Sequence, residues 1–419
     1  MSSNVVSVVA PYGTSSSTCG YCSTPGERSA ASTSRHSASL SAIQLSCSVY
    51  QGMIDRGWRR SGTYCYKPDM RNSCCPQYPI KLDALAFKPS KSQRKLVNRW
   101  NRFIAQGNDD DEMVIDESKK PRPSKSKSKN PEFVWPNAIH ASESGCIEAA
   151  RHKFEVILEP SSYSEEKFAL YDRYQSDIHN DFDNSSMGFK RFLVNSPLRA
   201  EPIPYTTMPA PSHLPPQYGS YHQLYRLDGQ LIAMAVLDIL PHCVSSVYFM
   251  YDKTWEKFSL GKVSTLREIS LACEIHDAGA SSMSYLYLGY YIHSCQKMRY
   301  KGQYSPSFLV DPETYEWYPL EQCTSLLDAN RYACFSCPEH CTNEPPPTKD
   351  ELSFPDPPQL GTENLERILS VADIRHGVVT VTPVNESSFW ASQMVRRQVL
   401  GCVDGLGLDL SRKVIFHLG

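Results

Sequence analysis

Apolar and polar positions fall into two patterned stretches along the chain, with an unpatterned one between them. From Cys47 to Phe87 the sequence reads as globular, with Trp58, Tyr64, Tyr66 and Tyr78 available to pack. Val49 to Arg56 has helical character, Gly57 ends it, and alternating positions follow through Tyr64, Tyr66 and Ile80. A second patterned stretch opens where Phe154, Val156 and Leu158 alternate as a strand that Pro160 ends. Ser162 and Glu165 predict a capping box for a helix through His179, with Phe168, Tyr171, Gln175 and Ile178 on one face. Tyr221 to Leu227 and Gln230 to Leu240 flank Asp228-Gly229, the dipeptide that suits a tight hairpin turn.

A third strand is expected over Ser246 to Tyr251. A helix follows from Val263 to His276, with Val263, Leu266, Ile269 and Cys273 turned inward. Met283 to Ile292 reads as a fourth strand and Ser294 to Arg299 as a short helix or turn. This order predicts a mixed α/β layer in which helices cover a twisted, mostly antiparallel sheet. Four segments result. Residues 1–104 are cysteine-rich, 105–131 form a linker, 132–342 hold the α/β layer, and 343–419, broken by prolines, stay unassigned.

Composition narrows the class. The chain has 419 residues, Lys+Arg 43 against Asp+Glu 45, and a formal net charge of -2, which excludes a wholesale basic coat for nucleic acid. The apolar run Leu231 to Leu240 is broken by Asp238 and is too short to span a bilayer. The N-terminus lacks the basic start of a secretory signal. Fifteen cysteines in a chain with no export signal point to reduced thiols, some of them ligands, in a cytoplasmic or nuclear protein. In the linker, Asp109-Asp110-Asp111-Glu112 precedes Lys119-Lys120 and then Lys125, Lys127 and Lys129, which read as solvated or as a nuclear-localisation tract.

Cys19-x-x-Cys22 and Cys74-Cys75 supply four thiols, a set that zinc or an iron–sulfur cluster accepts and that also occurs as a reduced buried cluster. Cys334, Cys337, His340 and Cys341 form a rival set within eight residues. Lys297, Arg299 and Lys301 follow the strand that ends near Ile292, where side chains face a crevice and can hold a phosphate or carboxylate. Gly261 before the 263–276 helix is weak evidence of an anion loop, and Arg267 and Glu268 point in different directions from that helix. His276 and Asp277 read as cap and surface residues. A basic tract from Lys88 to Arg102, with Trp100 and Phe103 interleaved, is either an RNA-phosphate track or a solvated helix face.

These residues carry a resemblance. Cys19-Gly-Tyr-Cys22, Tyr50-Gln-Gly-Met-Ile-Asp-Arg-Gly-Trp-Arg-Arg-Ser-Gly62, Tyr64-Cys-Tyr-Lys-Pro68 and Cys74-Cys-Pro-Gln-Tyr78 resemble the eukaryotic arginyl-tRNA–protein transferase family. So do Tyr218-Gly-Ser-Tyr-His-Gln223, Leu266-Arg-Glu-Ile269 and the run from Gly289 to Tyr304. Tyr251-Asp-Lys-Thr254 and Gln296 depart from the family pattern, and the last 95 or so residues match little of it.

The resemblance implies an α+β protein, with an N-terminal cysteine-rich metal-binding domain and an N-acetyltransferase-like layer domain. It implies arginyl-tRNA as donor, and as acceptors proteins whose N-terminus is Asp, Glu or oxidised Cys, which become marked for ubiquitin-dependent degradation. Cys19, Cys22, Cys74 and Cys75 would hold an iron–sulfur cluster or zinc, and no CoA is expected. Tyr287, Tyr291, His293 and Ser294 would position groups or relay protons, and Arg267, Lys297, Arg299 and Lys301 would bind the acidic side chain or the tRNA end. Two other readings stay open, an acyl-CoA N-acetyltransferase and a non-catalytic metal- and RNA-binding regulator. The oligomeric state is unassigned.

Overall fold

The computed structural model describes residues 5–24, 27–107, 135–143, 150–206, 209, 211–346, 359–375 and 378–419. The charged tract at 109–129 lies outside them. The chain opens with two long strands, β1 (Ser7–Ser17) and β2 (Arg35–Gln44), inside a region whose Ser and Thr content looks like low complexity. In β2 the serines alternate with Ala38, Leu40 and Ala42, so one face is apolar and the other hydroxylated. Helix α1 (Cys47–Asp55) follows, capped by Ser46, and then β3 (Arg59–Ser61), β4 (Tyr64–Asp69) and β5 (Tyr78–Asp83).

Helix α2 (Lys91–Gln106) begins with a complete capping box, Ser90 and Gln93, and stops at Gly107 in the left-handed region. Its Trp100 and Phe103 are buried against Phe154 and Phe258, so they are core residues and offer no face for stacking bases. After α3 (Trp135–His140) come β6 (Phe154–Pro160) and α4 (Glu165–Tyr174), which continues as a π-helical turn over Gln175–His179. The cap of α4 is Ser164, two residues later than expected. The Ser162 hydroxyl instead accepts from the Lys167 ammonium at 2.7 Å, because that charge is buried and needs oxygen partners.

Helix α5 (Ser186–Phe189) and β7 (Glu201–Pro202) lead to the hairpin of β8 (Gln217–Leu227) and β9 (Gln230–Ile239), turned at Asp228 and Gly229 with both φ values positive. The second half of this layer is β10 (Cys243–Tyr251), α6 (Leu260–Asp277), β11 (Tyr285–Tyr291), α7 (Gln296–Arg299), β12 (Ser307–Val310), β13 (Trp317–Pro319) and α8 (Leu320–Ala329). The C-terminal stretch adds α9 (Thr362–Glu366), β14 (Leu369–Arg375), β15 (Val378–Pro383), α10 (Gln393–Leu406), α11 (Leu408–Ser411) and β16 (Val414–Phe416).

Two sheets result, and neither follows chain order. The first is β15-β14-β16-β1-β2-β4-β3, so the last strand of the chain pairs in parallel with the first. The second is β13-β12-β5-β11-β10-β9-β8-β6, with β7 beside β8. Strand β5, from the cysteine-rich first 104 residues, therefore lies inside the second sheet, and β14 to β16, from 343–419, belong to the first. One continuous core joins both layers, running from Val9 and Trp58 through Tyr78 and Leu266 to Phe416. Among the described residues no helix is long and apolar enough to cross a membrane.

Candidate active site

Two neighbouring strands part in the middle of the second sheet. Strands β10 and β11 are parallel neighbours over three pairs only, ending at Ser245 opposite Tyr287. Beyond that point β10 stays with β9, and β11 stays with β5. Both strands are irregular just past the fork, β10 between Ser246 and Tyr248 and β11 between Tyr287 and Tyr290. Gly289 sits in the second irregularity with φ +68, a conformation that strains any other L residue. A fork between parallel strands turns backbone groups toward the gap in place of a neighbouring strand, and ligands bind in such crevices.

The segment after β11 forms one wall. Lys301 returns across it and donates to the Tyr290 carbonyl at 2.7 Å. Burial, helped by the nearby Arg59 guanidinium, lowers the Lys301 pKa to about 7. Tyr291 donates to His293 Nδ1 at 3.0 Å, and His293 Nε2 lies 2.7 Å from Asp328 on α8. A carboxylate only accepts, so this chain of contacts fixes the tautomer with the proton on Nε2. Burial raises the Tyr291 pKa, while Arg299 beside it pulls the other way. Ser294, Lys297 and Arg299 are exposed. Tyr174 and His179 stand at the end of α4, and His179 titrates below its usual range through burial and then the Lys297 charge.

Two of the expected site residues, Tyr287 and Arg267, are tied up elsewhere. Tyr287 is only 2% exposed, and its hydroxyl donates to Asp55 on α1, on the side of the sheet that faces the first layer. It braces the two layers, and its hydroxyl is committed to Asp55. Arg267 is 3% exposed and donates to Glu143 at 2.6 Å and to the Ile139 carbonyl at 3.1 Å, so it ties α6 to the chain after α3. Helix packing uses up both groups, which a one-dimensional pattern does not reveal. Asp328 belongs to no motif, so nothing along the chain singles it out; Asp55 lies within the Tyr50–Gly62 string, but no pattern there marks it as the partner of Tyr287.

The four N-terminal thiols do come together. Sγ atoms of Cys19, Cys22, Cys74 and Cys75 lie within 4.8 Å of one another, with 3.6 Å between Cys22 and Cys74 and 3.9 Å between Cys74 and Cys75. A single tetrahedral ion with sulfurs at about 2.3 Å sets them about 3.8 Å apart, so the donor set and its spacing fit one ion. The Tyr21 backbone N–H donates to Cys19 Sγ at 3.3 Å, a contact that favours a thiolate. Hydrogen bonds from Cys74 and Cys75 hold the Cys19 thiol pKa down, while the Cys74 and Cys75 thiols are held up, the response of clustered thiols to one shared negative charge. The cluster packs on Ile292, Cys295 and Met298, the segment that carries His293 and Lys301. The thiol cluster therefore buttresses the crevice wall.

In the rival set, Cys334 and His340 converge with Glu313, and His340 Nδ1 lies 2.6 Å from Glu313 Oε2. Cys337 and Cys341 are not part of that convergence. Elsewhere, a groove of about 650 Å³ lies between the β3–β4 turn and helices α4 and α5, lined by Thr63, Tyr64, Asp181, Asp183 and Arg191, and it contains none of the expected site residues.

Known proteins share both halves of this arrangement. Residues 17–95 match the family model "Arginine-tRNA-protein transferase, N terminus", and residues 166–311 match "Arginine-tRNA-protein transferase, C terminus". Arginyl-tRNA–protein transferase 1 of Drosophila melanogaster is 34% identical, over 83% of this chain and 88% of that one. The chain belongs to the arginyl-tRNA–protein transferase family. Arginyl-tRNA–protein transferase 1 of Arabidopsis thaliana is 30% identical over 80% of this chain and 76% of its own. An aspartate/glutamate leucyltransferase of Pseudomonas fluorescens is 28% identical over 62% of this chain and 80% of its own. The first family block contains all four clustered cysteines, and the second contains both strands of the fork.

Proposed function

We propose that this protein transfers arginine from arginyl-tRNA to the N-terminal α-amine of proteins that begin with Asp, Glu or oxidised Cys, marking them for ubiquitin-dependent degradation. The observation that carries the proposal is family membership along both blocks. The fork between β10 and β11 supplies a crevice of suitable construction.

The chemistry needs little beyond positioning. The amine nitrogen attacks the ester carbonyl carbon, a C–N bond forms, the ester C–O bond breaks, and the tRNA ribose hydroxyl leaves with the proton that the amine gives up. An α-amino group of pKa about 8 is partly neutral at cellular pH, so proton removal is a modest task. His293, oriented by Asp328 and joined to Tyr291, is the group suited to pass that proton on. Backbone N–H groups at the fork suit the developing oxyanion. Lys297 and Arg299, exposed at the mouth, suit the acceptor's acidic side chain or a tRNA phosphate.

An N-acetyltransferase-like reading of the second layer draws support from the parallel β10–β11 pair within an otherwise antiparallel sheet and from α6 packed across it. Cys19, Cys22, Cys74 and Cys75 would hold zinc or an iron–sulfur cluster, which would supply a rigid, redox-sensitive brace for the crevice wall. Their compact spacing supports a single ion, since a cluster divides the four thiolates among separate irons and spreads the sulfurs further apart. A cytoplasmic or nuclear site of action goes with this reading.

The test is transfer of labelled arginine from charged tRNA to two peptides, one beginning with Asp and one with a blocked N-terminus. Label on the free acidic peptide alone is the expected result. No label on either, with tRNA bound, would leave a binding protein.

A further inference from the structure

Buried carboxylates are normally met by a cation or a full set of donors, because an isolated charge in a low-dielectric interior is costly. Glu268 on α6 departs from that rule. It is 1% exposed, and its Oε1 accepts from the Ser264 hydroxyl at 2.8 Å. Its Oε2 has no hydrogen-bond partner among the described residues. The groups that act on its ionisation are burial, which raises its pKa, and the Ser264 and Ser246 hydroxyls, which lower it; no Lys or Arg is among them. The adjacent Arg267 cannot serve, since it turns away to Glu143.

The position of this carboxylate is specific. Ser246 is the first residue of β10 beyond its last pair with β11, so Glu268 lies at the apex of the fork. The Tyr225 hydroxyl is 3.0 Å from Ser264 Oγ and extends the hydroxyl shell. Tyr300 and Tyr304, at the end of the crevice wall, lie close enough for the Glu268 charge to raise their pKa values, after burial. The result is a buried carboxylate with one unpartnered oxygen, surrounded by hydroxyls and tyrosine rings. That is a receptor for a planar cation, since a guanidinium pairs with a carboxylate through its fork of N–H donors and stacks on aromatic faces.

We propose that Glu268 binds the guanidinium of the arginyl group carried by the donor and is the residue that selects arginine over a neutral side chain. This rests on the transfer reading above and adds the donor-specificity determinant to it. A relative named for leucyl transfer shares 28% of aligned residues over 62% of this chain, so donor choice must depend on individual side chains within a common layer.

The test compares two donors on the same tRNA, one charged with arginine and one with citrulline, whose urea group matches the guanidinium in shape without its charge. The acceptor is a peptide beginning with Asp. The wild-type full chain is expected to prefer the arginyl donor by about 100-fold or more in kcat/KM, the scale on which a site with a buried polar group rejects a mismatched ligand. Glu268→Gln is expected to lose that factor on the arginyl donor while citrullyl transfer holds within a few-fold. Glu268→Asp, which keeps the charge, is expected to retain part of the preference. Equal use of both donors by the wild type overturns the proposal without any variant having to fold. Equal losses on both donors in a folded Glu268→Gln variant overturn it as well. Failure of the wild type to transfer from either donor would sink the transfer reading itself, and this inference with it.

Discussion

Arg60 on β3 and Asp238 on β9 form a fully buried ion pair that fastens one sheet to the other. Nη2 of Arg60 lies 2.6 Å from Oδ1 of Asp238, Nε lies 2.8 Å from Oδ2, and Ser220 and the Gly62 carbonyl take up remaining valences. Burial works against the guanidinium charge, yet the facing carboxylate outweighs it and holds the Arg60 pKa above its usual range. Such a pair is worth little against an apolar substitute, but removing one partner strands the other charge. Asp238→Ala or Arg60→Ala is expected to lower unfolding free energy by about 3–5 kcal/mol, measured in urea. The Arg60→Met, Asp238→Leu double variant should lose clearly less than the sum of the two. Strict additivity would show that the pair does not act as a unit.

The thiol cluster should hold one ion per chain. Elemental analysis of protein prepared without oxygen is expected to give close to one zinc, and replacing Cys74 and Cys75 by Ser should remove it. Replacing Cys334 should leave it unchanged, because that thiol is taken up by Asp311 and Ser336. Because the cluster packs on Ile292 and Met298, loss of the ion should also reduce transfer. Iron with matching sulfide would instead assign a cluster.

The His293–Asp328 contact gives a kinetic prediction. Proton transfer by a positioned side chain contributes about 10²-fold or more, so His293→Ala should lower kcat by roughly 100-fold with little change in KM. Asp328→Asn should cost about 10-fold at most, since its side chain is 58% exposed and solvent can take over part of its role. An unchanged kcat in His293→Ala would remove the relay from the mechanism.

Two lysines predict how stability varies with pH. Burial, with Arg56 beside one and Arg59 beside the other, lowers the pKa of both Lys67 and Lys301 from 10.5 to about 7. Between pH 7 and about 10 the unfolded chain holds these protons and the folded chain does not, so stability should rise with pH across that window, by up to about 1 kcal/mol per unit for each group. Below pH 7 both states are protonated and the slope vanishes. Urea unfolding at pH 7, 8 and 9 should show the rise, and Lys67→Met should flatten it. Lys67 donates to the Tyr315 hydroxyl at 2.6 Å and to the Gly405 carbonyl at 3.1 Å, so an equal slope in that variant would mean that these acceptors keep Lys67 charged and that burial does not lower its pKa.

Local patterns in the chain announced much of the second layer. The Asp228-Gly229 hairpin, the strand from Phe154, the helix around Leu266 and the turn after β11 all stand where periodicity and turn chemistry put them, because each is stabilised by contacts close in sequence. The four clustered cysteines were legible too, as thiols whose spacing suits one ligand set. Strands β1 and β2 were not, since their alternating Ser and Thr resemble low complexity until the neighbouring strands β16 and β4 are in place. Nor was the role of the last stretch, whose β16 pairs with β1 across almost the full length of the chain.

The sequence by itself determined the local elements, the family and the set of residues from which a site could be drawn. Only the tertiary structure decided which of those residues remain free to act. Packing tied Tyr287 to Asp55 and Arg267 to Glu143, and it brought Asp328 to His293 across 35 positions. It also left Glu268, one residue from Arg267, with an unpartnered oxygen beside a fork that exists only because two strands part. Burial and pairing are properties of neighbours in space, and neighbours in space are set by non-local strand order, which no short stretch of chain encodes.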